Sequence, residues 1–175
     1  MPETFENLLV KLSRAGVDYL VAGGVAVCLN RFVRTTQDLD LLVEVAPADL
    51  RRLLACLAGF GEGFARELSL EDFSLEEGAV RVVGEFTVDL FTVMRSRTFH
   101  DFVATARALE VGGATVRFLS AEALIRAEGT VGAPRTIPGY SLGGDTSRTR
   151  APLTSLRTRM ASFSMWFSSF GRSIW

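Results

Sequence analysis

Asp38 and Asp40 stand one residue apart in Arg34-Thr35-Thr36-Gln37-Asp38-Leu39-Asp40-Leu41-Leu42-Val43, a stretch that reads as a strand after its polar start. Residues two apart on a strand share a face, roughly 6–7 Å from each other. Asp38, Asp40 and Leu42 therefore share one face, and Leu39, Leu41 and Val43 share the other, which can be core. Two neighbouring carboxylates repel, and burying them without a cation forces one to protonate. Such a pair suits Mg²⁺, which binds through one or two carboxylates and substrate phosphates. The same spacing also suits an exposed polar strand face, or a turn ahead of the strand.

Three neighbouring features bear on that choice. Upstream, Val17–Ala22 reads as a buried strand, followed by Gly23-Gly24 and a helix from Val25. A strand, two glycines and a helix start can present backbone N–H groups to a phosphate, and glycine lets a ligand come close. A plain strand–helix turn has the same sequence. Arg34 and Thr36 precede the carboxylates; the arginine can meet a phosphate or form a structural ion pair. Downstream, Glu85-Phe86-Thr87-Val88-Asp89-Leu90-Phe91-Thr92-Val93 reads as a second strand with an isolated carboxylate. Two antiparallel strands off the Asp-x-Asp strand would bring Asp89 beside Asp38 and Asp40.

Taken in order, Gly23-Gly24 with Ala26, Arg34-x-Thr36-x-Asp38-x-Asp40, and Asp89 before a Leu-Phe pair resemble the nucleotidyltransferase superfamily with the polymerase-beta-like fold. The resemblance spans about residues 5–127 and is closest to the small prokaryotic branch that includes the AbiEii-type toxins. It implies an α+β fold: a mixed, partly antiparallel sheet with helices mainly on one face. It also implies that Gly23 and Gly24 hold the triphosphate of an NTP; Arg34 and Thr36 are expected in the same nucleotide site, Arg34 to steady a phosphate and Thr36 to cap or hydrogen-bond the carboxylate turn. Asp38 and Asp40 would hold two Mg²⁺ ions, or Mn²⁺ in their place. Asp89 would bind metal and activate an acceptor hydroxyl.

The elements that must position these residues are legible in outline. Phe5, Leu8, Leu9, Leu12 and Ala15 recur at helical spacing, with Gly16 as the stop. Pro47 suits the first turn of a helix running through Leu57. The acidic stretch 64–78 reads as a solvated loop or broken strand, or as a flexible edge over the site. Ala79–Val83 and Phe86–Val93 read as strands flanking Gly84. Phe99–Ala106 reads as a short helix carrying His100, the single histidine, which suits a surface position better than a catalytic base. Ala108–Val111 and Thr115–Leu119 around Gly112-Gly113 form a hairpin signal, since two glycines suit a two-residue turn. Ser120 can cap a helix over Ala121–Glu128.

The chain of 175 residues has net charge −1 and 48% hydrophobic residues, enough for a core and without an overall basic pull toward nucleic acid. Cys28 and Cys56 read as buried thiols of a reducing compartment. No secretory signal is read at the start, and no run of eighteen apolar residues occurs, so a cytoplasmic protein without membrane partners is expected. Composition changes after Glu128. Residues 1–128 hold thirteen basic and nineteen acidic side chains, whereas 129–175 hold six arginines and one acid. The expected organisation is a nucleotidyltransferase-like domain over 1–128 and a basic Ser/Thr/Arg-rich tail over 129–175. That tail is read as disordered or as the product of a reading frame lost near residue 128. Ala127-Glu128-Gly129-Thr130 departs there from the lysine and Lys-Asp pattern with which relatives continue. A genuine basic tail that binds RNA or anionic lipid is the other reading.

The functional expectation is transfer of a nucleoside monophosphate from an NTP to a hydroxyl on an RNA end, a protein or a small molecule. The alternative is a catalytically silent nucleotide-binding module, or the interaction half of a toxin–antitoxin pair with its antitoxin or toxin as partner. An α/β domain whose carboxylates are plain surface groups is the third reading.

Overall fold

The computed structural model describes residues 3–33 and 35–127. The readings of Arg34 and of the basic tail lie outside the described residues. Five helices are described: α1 (Phe5–Arg14), α2 (Gly23–Leu29), α3 (Pro47–Leu57), α4 (Phe99–Val103) and α5 (Ala121–Ala127). The strands are β1 (Tyr19–Val21), β2 (Asp38–Val43), β3 (Ala79–Val83), β4 (Thr87–Phe91), β5 (Arg107–Val111) and β6 (Ala114–Phe118). They form one mixed sheet in the order β3-β4-β2-β1-β6-β5. The class is α+β, as expected.

Local sequence accounts for most of these elements. Thr4 caps α1 by accepting the Asn7 N–H at 3.2 Å, and Leu8, Leu9 and Leu12 are fully buried. Ala15, read as part of that stripe, is instead the exposed C-cap. Pro47 occupies the first turn of α3, where a missing N–H costs nothing. Gly112 and Gly113 both take positive φ, 54° and 73°, so the β5–β6 turn has the twist that joins adjacent antiparallel strands. Ser120 Oγ accepts the Ala123 N–H at 3.2 Å and caps α5.

The pleat assigns the faces. Tyr19 is opposite Val43 and Leu20 opposite Leu42 across the antiparallel β1–β2 pair. Tyr19 Oη donates to the Leu9 carbonyl at 2.9 Å, so α1 lies on the face that carries Leu39, Leu41 and Val43. Phe86, at the β3–β4 turn, packs edge-on against Phe5 at 4.5 Å and Phe60 at 4.9 Å on that same face. Leu20 and Leu42, on the opposite face, are also fully buried. Both faces are therefore covered at the sheet centre. A three-residue strand buried at every position, as β1 is, needs cover on both sides.

Two further differences concern the region between β2 and β4. Segment 64–78 is not a plain solvated loop: it forms 3₁₀ turns at Phe64–Glu67 and Leu70–Asp72. Ala65, Leu68 and Phe73 anchor it in the core, and the Thr92 hydroxyl donates to the Ser74 carbonyl at 2.6 Å. β4 is antiparallel to β3 but parallel to β2. The intervening α3, 3₁₀ turns and β3 return the chain to the same end of the sheet, which a parallel neighbour requires.

Candidate functional site

Asp38 and Asp40 lie at the start of β2 and are both half-buried, while Leu39 between them is buried on the α1 face. β4 lies alongside with Thr87 opposite Asp38 and Asp89 opposite Asp40. Because paired residues of neighbouring strands project to one side, all three aspartates share a face of the sheet. Asp89 is only 5% exposed, in a strand otherwise filled by Val88, Leu90 and Phe91. Like charges opposite one another on neighbouring strands destabilise a sheet, so this arrangement calls for a cation.

Within the described residues the cation is Arg81. It sits opposite Asp89 on the antiparallel β3. Its Nε donates to Asp89 Oδ1 at 2.8 Å and its Nη2 to Asp89 Oδ2 at 2.8 Å, a two-pronged pair. The pair is lopsided: the Arg81 side chain is 41% exposed and that of Asp89 8%. The bond to Asp89 raises the Arg81 pKa above its ordinary value, against partial burial, and the charges of Asp89, Asp38 and Asp40 add to the effect. The guanidinium thus experiences all three carboxylates. Arg81 was missed in the sequence, although a signal existed. It is the one charge in Ala79-Val80-Arg81-Val82-Val83, and it is as far before Glu85 in the hairpin loop as Asp89 is after it.

The glycine pair fits against the acids from the side. Gly23 has φ +55, and a Cβ placed on it would lie 1.9 Å from Asp40 Oδ2. A Cβ on Gly24 would lie 2.6 Å from Thr36 Cβ. Any side chain here would displace Asp40 or Thr36, so the glycines let the α2 backbone come up against the carboxylate. The Ala22 N–H donates to the Asp40 carbonyl at 2.8 Å and ties this turn to β2. The Thr36 hydroxyl donates to the Asp38 carbonyl at 3.0 Å. Thr36 therefore shapes the turn leading into β2 through the backbone rather than through a carboxylate.

His100 is elsewhere. Its Nε2 lies 2.7 Å from Glu44 Oε2, just beyond the far end of β2. Four residue steps of extended chain, roughly 13 Å, take the backbone from Asp40 to Glu44. The other Glu44 oxygen accepts the Val45 and Ala46 N–H groups at 2.8 and 3.2 Å. A cleft lined by Arg14, Asp18, Tyr19, Thr115 and Arg117 opens between the end of α1 and β6, and Asp38, Asp40 and Asp89 are not among its lining residues. Cys28 and Cys56 are both buried.

The donor set can be tested against a divalent cation. Asp38 and Asp40 project together from one strand, and the Asp40 carboxylate fills the space that a Cβ on Gly23 would need. Hard carboxylate oxygens beside a glycine turn suit Mg²⁺ and substrate phosphates. Asp89, on the same face, has both oxygens bonded to Arg81. As it stands, no group of three His, Cys, Asp or Glu side chains is arranged to hold a metal among the described residues. Among the same residues, no helix is long and apolar enough to cross a membrane. No protein-family model matches the chain, and no curated protein matches it.

Proposed function

We propose that this protein transfers a nucleoside monophosphate from an NTP to a hydroxyl acceptor with the help of Mg²⁺ or Mn²⁺. The observation that carries the reading is the register of two parallel strands, which sets Asp89 opposite Asp40 with Asp38 on the same face. The glycine turn packed on Asp40 supports it. A divalent cation held by these residues would supply charge neutralisation for an in-line phosphoryl transfer. Asp38 and Asp40 hold the cation. Asp89, freed from Arg81, orients the acceptor hydroxyl and takes its proton. Gly23 and Gly24 allow the departing phosphates to approach the backbone. Catalysis of this kind is mainly positioning and electrostatics. The acceptor class, whether RNA end, protein or small alcohol, is part of what the experiment must find.

One observation favours a second reading. The Arg81–Asp89 pair neutralises the third carboxylate, as befits a silent nucleotide-binding module or a toxin–antitoxin interaction domain. Thermal unfolding with each NTP, with and without Mg²⁺, separates these readings in part, because a ligand that binds only the folded state raises the midpoint. The expected result is a metal-dependent rise in the wild type that Asp40→Asn lacks, although the variant still unfolds cooperatively. Labelled NTP then reports transfer. Asp40→Asn should reduce it by at least about a hundredfold. Nucleotide binding without transfer supports the silent module, and full transfer in Asp40→Asn rules out the metal clamp.

A further inference from the structure

We infer that Arg81 is an internal counter-ion that competes with the metal for Asp89, so that the third carboxylate joins the site only when this guanidinium swings away. The inference rests on the proposed metal site and concerns what regulates it. Both Asp89 oxygens are engaged by one guanidinium, at 2.8 Å each. The fork occupies one lone pair on each oxygen, the two that a cation held by both oxygens would need.

The geometry also says which half of the pair moves. Asp89 is buried within β4, between β2 and β3, and cannot leave without disrupting the sheet. Arg81 stands on β3, the edge strand, with its side chain 41% exposed. Val83, on the same face of β3, is 52% exposed, so this edge is open to solvent. The guanidinium can rotate into water and keep its hydration, at the cost of two hydrogen bonds. Before metal arrives, Arg81 offsets the repulsion among Asp38, Asp40 and Asp89, whose charges act on it together. After release it remains on the acidic face, where substrate phosphate is the anion at hand.

In a two-state scheme, the apparent metal affinity is the intrinsic affinity reduced by the fraction of molecules with Arg81 withdrawn. Removing the competitor should therefore tighten binding. The test is Mn²⁺ titration by calorimetry at pH 8, without nucleotide, on the full chain. Arg81→Met is expected to bind Mn²⁺ about tenfold more tightly than the wild type. That gain should vanish when Asp89→Asn is added, since the competition runs through Asp89. Arg81→Lys, which keeps the charge but loses the fork, should give a smaller gain and serves if Arg81→Met does not fold.

Equal or weaker Mn²⁺ binding in the folded Arg81 variants, with wild-type binding intact and lost in Asp38→Asn, overturns the inference while leaving the metal site standing. A gain that survives Asp89→Asn overturns it as well. Absence of Mn²⁺ binding from the wild type and every variant overturns the metal reading and the inference together.

Discussion

Two buried aspartates in this molecule look alike in isolation and differ in what holds them. Asp49, in the first turn of α3, is 2% exposed; Asp89, within β4, is 5% exposed. Each meets one half-exposed arginine, Arg52 at 44% and Arg81 at 41%. Asp49 additionally accepts the Asp18 backbone N–H with both oxygens at 3.1 Å. It thereby joins the start of α3 to the chain leading into β1. Arg52 is an addition to that bond, and it also reaches the Gly16 carbonyl at 3.0 Å. Among the described residues, both donors to the Asp89 carboxylate belong to one side chain, and that side chain stands on a neighbouring strand. A buried carboxylate satisfied by backbone is part of the architecture. One satisfied by a single solvent-accessible side chain is exchangeable, and exchange is what ligand binding requires.

The sharpest way to break this contrast is at the glycine against Asp40. Gly23→Ala sets a Cβ 1.9 Å from Asp40 Oδ2 at a positive φ. It should cost about 2–4 kcal/mol by chemical denaturation. Gly59→Ala has nothing within 4 Å and should stay within about 0.5 kcal/mol. Equal effects would mean that the α2 turn yields easily and does not hold the carboxylate in place.

The two arginines give the next comparison. Arg81→Met strands a buried carboxylate and should destabilise the metal-free protein by about 1–3 kcal/mol. Arg52→Met leaves Asp49 with its backbone donor and should cost less than about 1 kcal/mol. Urea unfolding in a chelating buffer measures both. Reversal of the order would remove the distinction between an architectural and an exchangeable aspartate.

The smallest effect is in pH. Burial, followed by the opposing hydrogen bonds from the Asp18 N–H and Arg52, leaves the Asp49 carboxyl raised above its ordinary value of 3.8. A raised acid holds its proton longer in the folded state. Its contribution to stability is complete below the unfolded pKa and is lost as pH rises through the folded one. Asp49→Asn keeps an acceptor for the Asp18 N–H and removes the titration. Midpoints measured across the acidic carboxylate range should therefore fall with rising pH less steeply in the variant than in the wild type. Parallel curves would show that Asp49 does not contribute to that slope.

Legibility in the sequence followed the range of the interactions. The Leu8-Leu9-Leu12 stripe, Pro47 at a helix start, Gly112-Gly113 in a turn and the Ser120 cap are local patterns, and each forms the element that was read from it. The acidic segment 64–78 was harder because its hydrophilic composition hides three anchors, Ala65, Leu68 and Phe73, whose burial depends on distant strands. Thr36 was read both as part of the nucleotide site and as a hydrogen-bonding residue of the carboxylate turn, and its hydroxyl donates to the Asp38 carbonyl of that turn. A side chain's choice between backbone and substrate is not written in its spacing.

By itself the sequence determined that Asp38 and Asp40 share a face, because a strand alternates whatever surrounds it. It also determined that a glycine pair precedes them and that a third acid lies in a later apolar strand. Only the tertiary structure decided that β4 runs parallel to β2 with Asp89 opposite Asp40, since sheet order depends on how the long connection through α3 and β3 packs. It also decided that Arg81 reaches Asp89 first. That follows from hairpin register and edge position, where pairing brings together charges eight residues apart and leaves one of them open to water.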